Sequence, residues 1–429
     1  MLTTTASLLA LSPLCAQDAT AVDSGPGITS GSDAAMASST APQFAAPTTP
    51  DEAAALEASF YGADEAVADA AAEPVAQSRP WNVNLHASVD SRYDSNIFIA
   101  SAGKQADYLT RLMAGGGFIL GDYTAKQNNY LTSDYTGIGE LFGRHQNENA
   151  YEQNATLESQ ILLGHVTVRG NFQFQDLADE DIDIGARTRR QVYTGNVSAR
   201  YDLSDKTYLE ATGQFTVANY ALYLDSNDER GGLSFNYRPG PNVTFGLGAM
   251  GGVLNVQDSG CQTYEQLLAS SEIDLTGKFT LKASGGGEER QFQDGVNFAS
   301  PIFELTADYK PFEGLDLNLT GYRRVLNSAF YSGDDYVATG IDAGIGYDFS
   351  SRISLLLDGG YVNSVYKAVT AGAGIARTDD YYYIRPSLRY TASRYWNVEL
   401  YYFYRTNDST ISTSSFDDTQ AGVDLTLTY

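Results

Sequence analysis

From Trp81 to its last residue the chain repeats one pattern: segments of roughly 10–16 residues in which apolar and polar side chains alternate strictly. A period of two belongs to a β-strand, whose successive side chains point to opposite faces. "WNVNLHASVD" puts Trp81, Val83, Leu85, Ala87 and Val89 on one face and Asn82, Asn84, His86, Ser88 and Asp90 on the other. "LDLNLTGY" (315–322) and "WNVELYYFY" (396–404) divide in the same way. No stretch approaches the roughly 20 apolar residues that a transmembrane helix needs.

The turns alternate in length. Short polar turns near 121–127, 164–165, 203–207, 238–242, 275–278, 310–314, 349–352 and 391–394 separate longer, mostly acidic connections. "DLADEDIDIGARTRR" (176–190) is the third of these long connections. Nine long loops and eight short turns give about 18 strands (16–18), an even count that suits a closed barrel with both termini on the short-turn side. The expected fold class is all-β: a transmembrane, up-and-down antiparallel β-barrel over residues 81–429. A soluble sandwich is the competitor, with strands nearer five or six residues. Against it, the apolar faces end in Tyr or Trp at Tyr309, Tyr347, Tyr361, Tyr390, Trp396, Tyr402 and Tyr429. An aromatic girdle at a membrane interface requires that placement.

Residues 1–16 read as a signal peptide, with an apolar run Leu8–Leu14, although no Lys or Arg precedes that run. Residues 17–80 are low-complexity, Ala-rich and acidic, and read as a disordered periplasmic tail. Formal net charge over the whole chain is −26, which argues against nucleic acid as a partner. Two Cys and three His are too few for a metal cluster. No metal, no cofactor and no enzymatic activity are expected.

Taking the polar face as the lumen yields candidate pore-lining residues: Asp90, Glu140, Arg169, Arg200, Glu210, Glu304, Asp316, Asp342, Arg385, Arg389, Glu399 and Arg405. A soluble core does not bury so many ionised groups. A water-filled channel solvates them, and an excess of acids favours cations. Tyr383, Tyr401 and Phe403 project to the same face on neighbouring strands, where aromatic rings can stack sugars or simply pack the wall.

Three motifs are weighed for chemistry and set aside. His86, Ser88 and Asp90 share a strand face but lack an oxyanion site. Asp179, Asp181 and Asp183 have calcium-loop spacing, yet Ile184 and Arg190 stand where an EF-hand requires Gly and Glu. A solvated acidic loop, divalent bridging from it to lipopolysaccharide phosphates, direct pairing of "RTRR" (187–190) with phosphate, and folding of "RTRR" into the lumen as a plug are the readings left for that connection. The "GGG" runs at 115–117 and 285–287 lack the Lys-Ser/Thr of a phosphate loop, and read as places of close backbone approach.

The barrel portion resembles the outer-membrane β-barrels of Gram-negative bacteria. Its ending "VDLTLTY", with Val423, Leu425, Leu427 and Tyr429 in one row, is similar to the assembly signal those proteins present to the barrel-assembly machinery. "VDSRYDSNIF", through Tyr93, Asp94, Asn96, Ile97 and Phe98, resembles the putative β-barrel porin-2-like family. Some members of that family are associated with exopolysaccharide export. The resemblance implies a location in the cell outer membrane, with membrane lipid, lipopolysaccharide and small polar solutes as partners. Porins of this size are often trimers, and the sequence exposes no interface for a homo-oligomer. The expected function is a porin-like channel for passive diffusion of small hydrophilic solutes, cation-preferring. An exopolysaccharide-associated export barrel, or an occluded structural or adhesive barrel, is the alternative.

Overall fold

The computed structural model describes residues 81–121, 123, 128–292, 297–328, 330–331, 334–368 and 376–429. The signal peptide and acidic tail read from residues 1–80 lie outside the described residues. The strands are β1 (Trp81–Asp94), β2 (Asp107–Gly121), β3 (Tyr130–Phe142), β4 (Ala150–Leu163), β5 (Val166–Asp181), β6 (Ala186–Ser204), β7 (Thr207–Tyr220), β8 (Ser226–Gly240), β9 (Val243–Val256), β10 (Gly260–Leu275), β11 (Phe279–Phe292), β12 (Asn297–Phe312), β13 (Leu315–Asn327), β14 (Asp334–Ser350), β15 (Ile353–Ala368), β16 (Thr378–Ser393), β17 (Trp396–Ser409) and β18 (Phe416–Thr428). Each pairs antiparallel with the next, and β1 closes on β18 with register His86↔Thr428 to Asp94↔Gln420.

Closure follows from the solvent. Lipid offers no partner for a backbone N–H or C=O, so a sheet that crosses it must have no free edge. At the short-turn rim Leu85 and Tyr429 exchange both backbone hydrogen bonds at 2.8 Å, so the ring is sealed to the last residue. The apolar row faces out, with Leu85, Leu247 and Leu267 more than half exposed. The polar row faces in, and its members toward the long-loop rim are buried: Asp90, Arg92, Arg385 and Arg405 among them.

The register shifts lie at the short-turn rim, between Asp202 and Ser204, Tyr237 and Gly240, Tyr309 and Phe312, Asp348 and Ser350, and Thr391 and Ser393. Bulges at a barrel rim add twist where the ladder ends. Gly164, in the turn between β4 and β5, has φ +64°, the left-handed conformation that a two-residue hairpin turn demands.

One connection differs from the sequence reading. Residues 176–190 do not form a long loop. β5 runs to Asp181, β6 begins at Ala186, and only 182–185 turn. The ladder pairs Glu180 with Arg187 and Asp179 with Thr188. Asp179–Asp181 and Arg187–Arg190 are polar at every position, so these paired residues carry no hydrophobic alternation. Past Asp176 the hairpin leaves the wall: β5 pairs with β4 only as far as Gln153↔Asp176.

Candidate functional site: a hairpin across the lumen

Beyond Asp176 the β5–β6 hairpin has no wall partner on the β4 side, and the run to Asp183 reaches about 20 Å. Its tip docks on the far side of the strand ring. Arg377, just before β16, donates Nη1 to the Asp183 carbonyl at 2.6 Å and Nη2 to the Ile182 carbonyl at 3.2 Å. Tyr366 on β15 donates its hydroxyl to the Asp183 carboxylate, and Ser328 donates to the same carboxylate at 3.3 Å. Ile182 packs against an inward cluster that includes Tyr322, Tyr381, Phe403 and Phe416. Ile184 packs with Val192, Ala218 and Phe330.

Ion pairs fix the shaft of the hairpin. Arg187 bonds Glu140 on β3 and Glu180 on its own hairpin, the latter at 3.1 Å. Arg405 on β17 reaches Glu180 at 3.4 Å and Asp418 at 3.0 Å. Arg92 holds Asp90 at 2.9 Å and Glu140 at 3.0 Å. Glu152 accepts the Ala178 N–H at 2.8 Å and Arg111 at 2.5 Å. Buried pairs of this kind add little net stability, but deleting one partner strands the other and costs about 3–5 kcal/mol. The network therefore specifies one hairpin position. Burial works against the charge of Arg377, but Tyr366, Asp379 and Asp183 around it hold the guanidinium above its ordinary pKa, so it stays a cation.

The inward tyrosines share one geometry. A Cβ placed on Gly252, Gly340, Gly360 or Gly422 would fall 2.3–2.5 Å from the ring or hydroxyl of Tyr264, Tyr322, Tyr383 or Tyr401, respectively. Each ring lies over a glycine of the adjacent strand. The bare backbone supplies the space, and the ring covers it.

Residues 262–429, from β10 to the end, match the model of the family described as Putative beta-barrel porin 2. The chain is an outer-membrane β-barrel that resembles this family. The matched residues do not include the Tyr93–Phe98 stretch. No curated protein matches the chain. Among solved structures, it is similar to the outer membrane protein OpdK from Pseudomonas aeruginosa, at 12% identity over 81% of this chain and 99% of that one, with a TM-score of 0.44. Acinetobacter baumannii OccAB4 gives 9% identity, 81% and 98% coverage and a TM-score of 0.44. Pseudomonas aeruginosa OccK2 (OpdF), solved in complex with glucuronate, gives 13%, 81% and 98%, and 0.44. No solute preference transfers at that distance.

In this outer-membrane barrel the residues read as pore-lining divide by height. Arg169, Arg200, Glu210 and Asp316 lie toward the short-turn rim and are at least partly exposed. Arg200 pairs with Asp202 at 2.6 Å and Lys310 with Asp316 at 3.2 Å. Asp90, Glu140, Arg385, Glu399 and Arg405 are buried in the packed half. Arg385 and Arg389 both bond Glu399 at 2.9 Å. Asp342 accepts the Tyr383 hydroxyl at 2.8 Å, and Glu304 faces a cavity against β13. Tyr383, Tyr401 and Phe403 face inward, at 6%, 6% and 0% exposure, and Tyr401 donates to Asp90 at 2.8 Å. The rings are packed against the wall in this arrangement.

His86 bonds Thr136 at 2.8 Å, and Asp90 is taken by Arg92 and Tyr401, so the His86, Ser88 and Asp90 row forms no relay. Asp179 is bound by Arg190 and Asp183 by Tyr366 and Ser328, inside the barrel rather than on a loop facing lipopolysaccharide. In the Tyr93–Phe98 stretch, Asn96 is fully buried and ties the first loop to the Ala100 and Asp417 carbonyls, while Ile97 packs on Leu109 and Phe142. Sequence reasoning missed Arg92, Arg290 and Arg377. Arg92 was reachable, since it shares a strand face with Asp90.

Proposed function

We propose that the barrel is a passive channel for small hydrophilic solutes, with a cation preference, whose throughput is set by the β5–β6 hairpin. The observation that carries this reading is the contrast between the two ends of the lumen. Toward the short turns the inward charges are exposed, as Glu272 and Lys282 are at 56% and 61%. Toward the long loops the hairpin and its ion pairs cross the lumen. A wide, hydrated vestibule that narrows to a charged constriction limits solute size. Residues 81–429 hold 43 of the chain's 53 acids and 26 of its 27 bases, an excess of acid that raises the local concentration of cations. Reversal potentials in a planar bilayer under a salt gradient, together with liposome swelling in small sugars, test it. Cation-selective reversal and swelling that falls with sugar size support the channel. Anion selectivity, or exclusion of every solute, goes against it.

A second reading has one observation in its favour. The hairpin tip is bonded to the opposite wall. An occluded barrel, opened only by a partner such as an export assembly, would hold its lumen in that way.

A further inference from the structure

β12 and β13 pair only from Phe303↔Arg323 to the short turn, although β12 reaches back to Asn297 and β13 on to Asn327. Beyond that ladder the two edges overlap. Val325 and Val337 belong to the outward rows of β13 and β14, yet they pack on Ile302, Leu268 and Phe298 of the inward rows of β12 and β10. Asp335, also in an outward row, accepts from Arg290 on β11 at 2.8 Å and from Gln262 on β10 at 3.2 Å. The top of the β13–β14 hairpin therefore lies inside the wall. A cavity of about 310 Å³ is left between it and the inward rows of the strands before it.

Most of the lining is charged, and most of those charges already have partners. Glu288 holds Arg290 and accepts from Gln266 at 2.7 Å. Asp228 accepts the Tyr264 hydroxyl at 2.6 Å, and Arg230 donates to Gln214 at 2.7 Å. Glu304 differs. Among the described residues its carboxylate makes no hydrogen bond and no ion pair. Its charge acts on Arg324, whose guanidinium lies 4.0 Å from the centre of the Tyr322 ring. Asn327 also lines the cavity, is 6% exposed, and has an amide nitrogen with no hydrogen-bond partner. A buried donor left without an acceptor is costly, and a ligand oxygen that meets it removes the cost.

The register places the mouth of this cavity. Ser284↔Glu304 is the inward row next to Glu272↔Lys282, whose side chains are exposed to the vestibule. Glu304 therefore stands where a solute enters from the short-turn side. Leu268, Ile302 and Leu326 supply an apolar surface within. The volume is that of roughly ten waters at about 30 Å³ each, which suits one small solute and not a chain of them. An anion would answer Arg324 and be repelled by Glu304, and a cation the reverse. A molecule that carries both charges on one end satisfies both groups, with the guanidinium and the Asn327 amide donating to its carboxylate.

We propose that this cavity is a binding site for a single zwitterionic α-amino acid with an apolar side chain. The ammonium group sits on Glu304, the carboxylate on Arg324 and Asn327, and the side chain against Leu268, Ile302 and Leu326. The proposal rests on the channel reading for its supply of solute from the vestibule.

The test is isothermal titration calorimetry on the full chain, purified and folded in detergent, with three solutes of one shape. Leucine carries both charges, 4-methylpentanoate lacks the ammonium, and 3-methylbutylamine lacks the carboxylate. Leucine is expected to bind about tenfold or more tighter than either analogue, because each analogue leaves one charged group of the site unanswered. Glu304→Gln should weaken leucine and remove its advantage over 4-methylpentanoate, while Glu265→Gln, on the outward row of β10, should leave all three affinities unchanged. Ile302→Trp should fill the cavity and abolish leucine binding. Equal affinity for the three solutes, or no leucine binding by the folded wild type, overturns the proposal. Should the Ile302 variant fail to fold, the wild-type comparison decides by itself. Leucine binding by a barrel that passes no ions would keep the site and refute the channel, and ion conductance without leucine binding would do the opposite.

Discussion

Arg377 donates to the Asp183 carbonyl at 2.6 Å, and so joins the tip of the β5–β6 hairpin to the wall on the far side of the barrel. A side chain next to β16 thus holds a segment that belongs, in sequence, to β5 and β6. The carboxylate of Asp379 braces the same guanidinium at 2.6 Å. The hairpin is a strut fixed at both ends, its root in the wall and its tip on Arg377 and Tyr366.

Arg377→Ala is therefore expected to release the tip without opening the barrel. Removing one member of a buried charged set costs about 3–5 kcal/mol locally. Amide exchange over residues 178–187 should accelerate by about tenfold or more, while the β1–β18 seam stays protected. Exchange that speeds up equally at both places would mean that Arg377 supports the whole wall.

Much of this wall was legible in the chain. The strand count, the faces of β1, β13 and β17, and the pairing of the last strand with the first all follow from alternation and turn length. The hairpin was legible in part: one reading of "RTRR" (187–190) folds it into the lumen, but Asp179–Asp181 and Arg187–Arg190 are polar at every position, so the stretch counts as a long loop rather than as paired strand. Its placement depends on partners such as Glu140, Arg405 and Arg377, which are distant in sequence. The end of the β12–β13 ladder at Phe303↔Arg323, two residues past Pro301, was hidden for the opposite reason: both strands alternate normally, and only their register shows where pairing stops. The tyrosines over Gly360 and Gly422 likewise need the register before their neighbours can be named.

Those tyrosines give a second prediction. Gly360→Val or Gly422→Val would drive a branched side chain into the ring of Tyr383 or Tyr401. Overpacking of this kind costs about 1–3 kcal/mol. The temperature at which the folded band converts on a gel should fall, and Tyr383→Ala should recover part of the loss in the Gly360 variant. No recovery would show that the ring is not what the valine meets.

Tyr429 gives a third. It exchanges both backbone bonds with Leu85 and stacks on Tyr395 with ring centroids 5.8 Å apart. As the end of the row Val423, Leu425 and Leu427, it is also the group we expect the assembly machinery to read. Tyr429→Ala should lower the yield of folded, heat-modifiable barrel in cells, and leave refolding of purified chain in detergent nearly unchanged. Equal loss in both settings would assign the residue to barrel closure alone.

The account rests on the hairpin as the constriction, and the most direct measurement is single-channel conductance of the full chain beside a variant whose residues 178–187 are replaced by a two-residue turn. The hairpin-shortened barrel is expected to conduct roughly threefold more or better, with the same sign of ion selectivity, because a barrel of 18 strands encloses a wide lumen once nothing crosses it. Equal conductance in the two proteins would contradict the account and place the constriction elsewhere in the lumen.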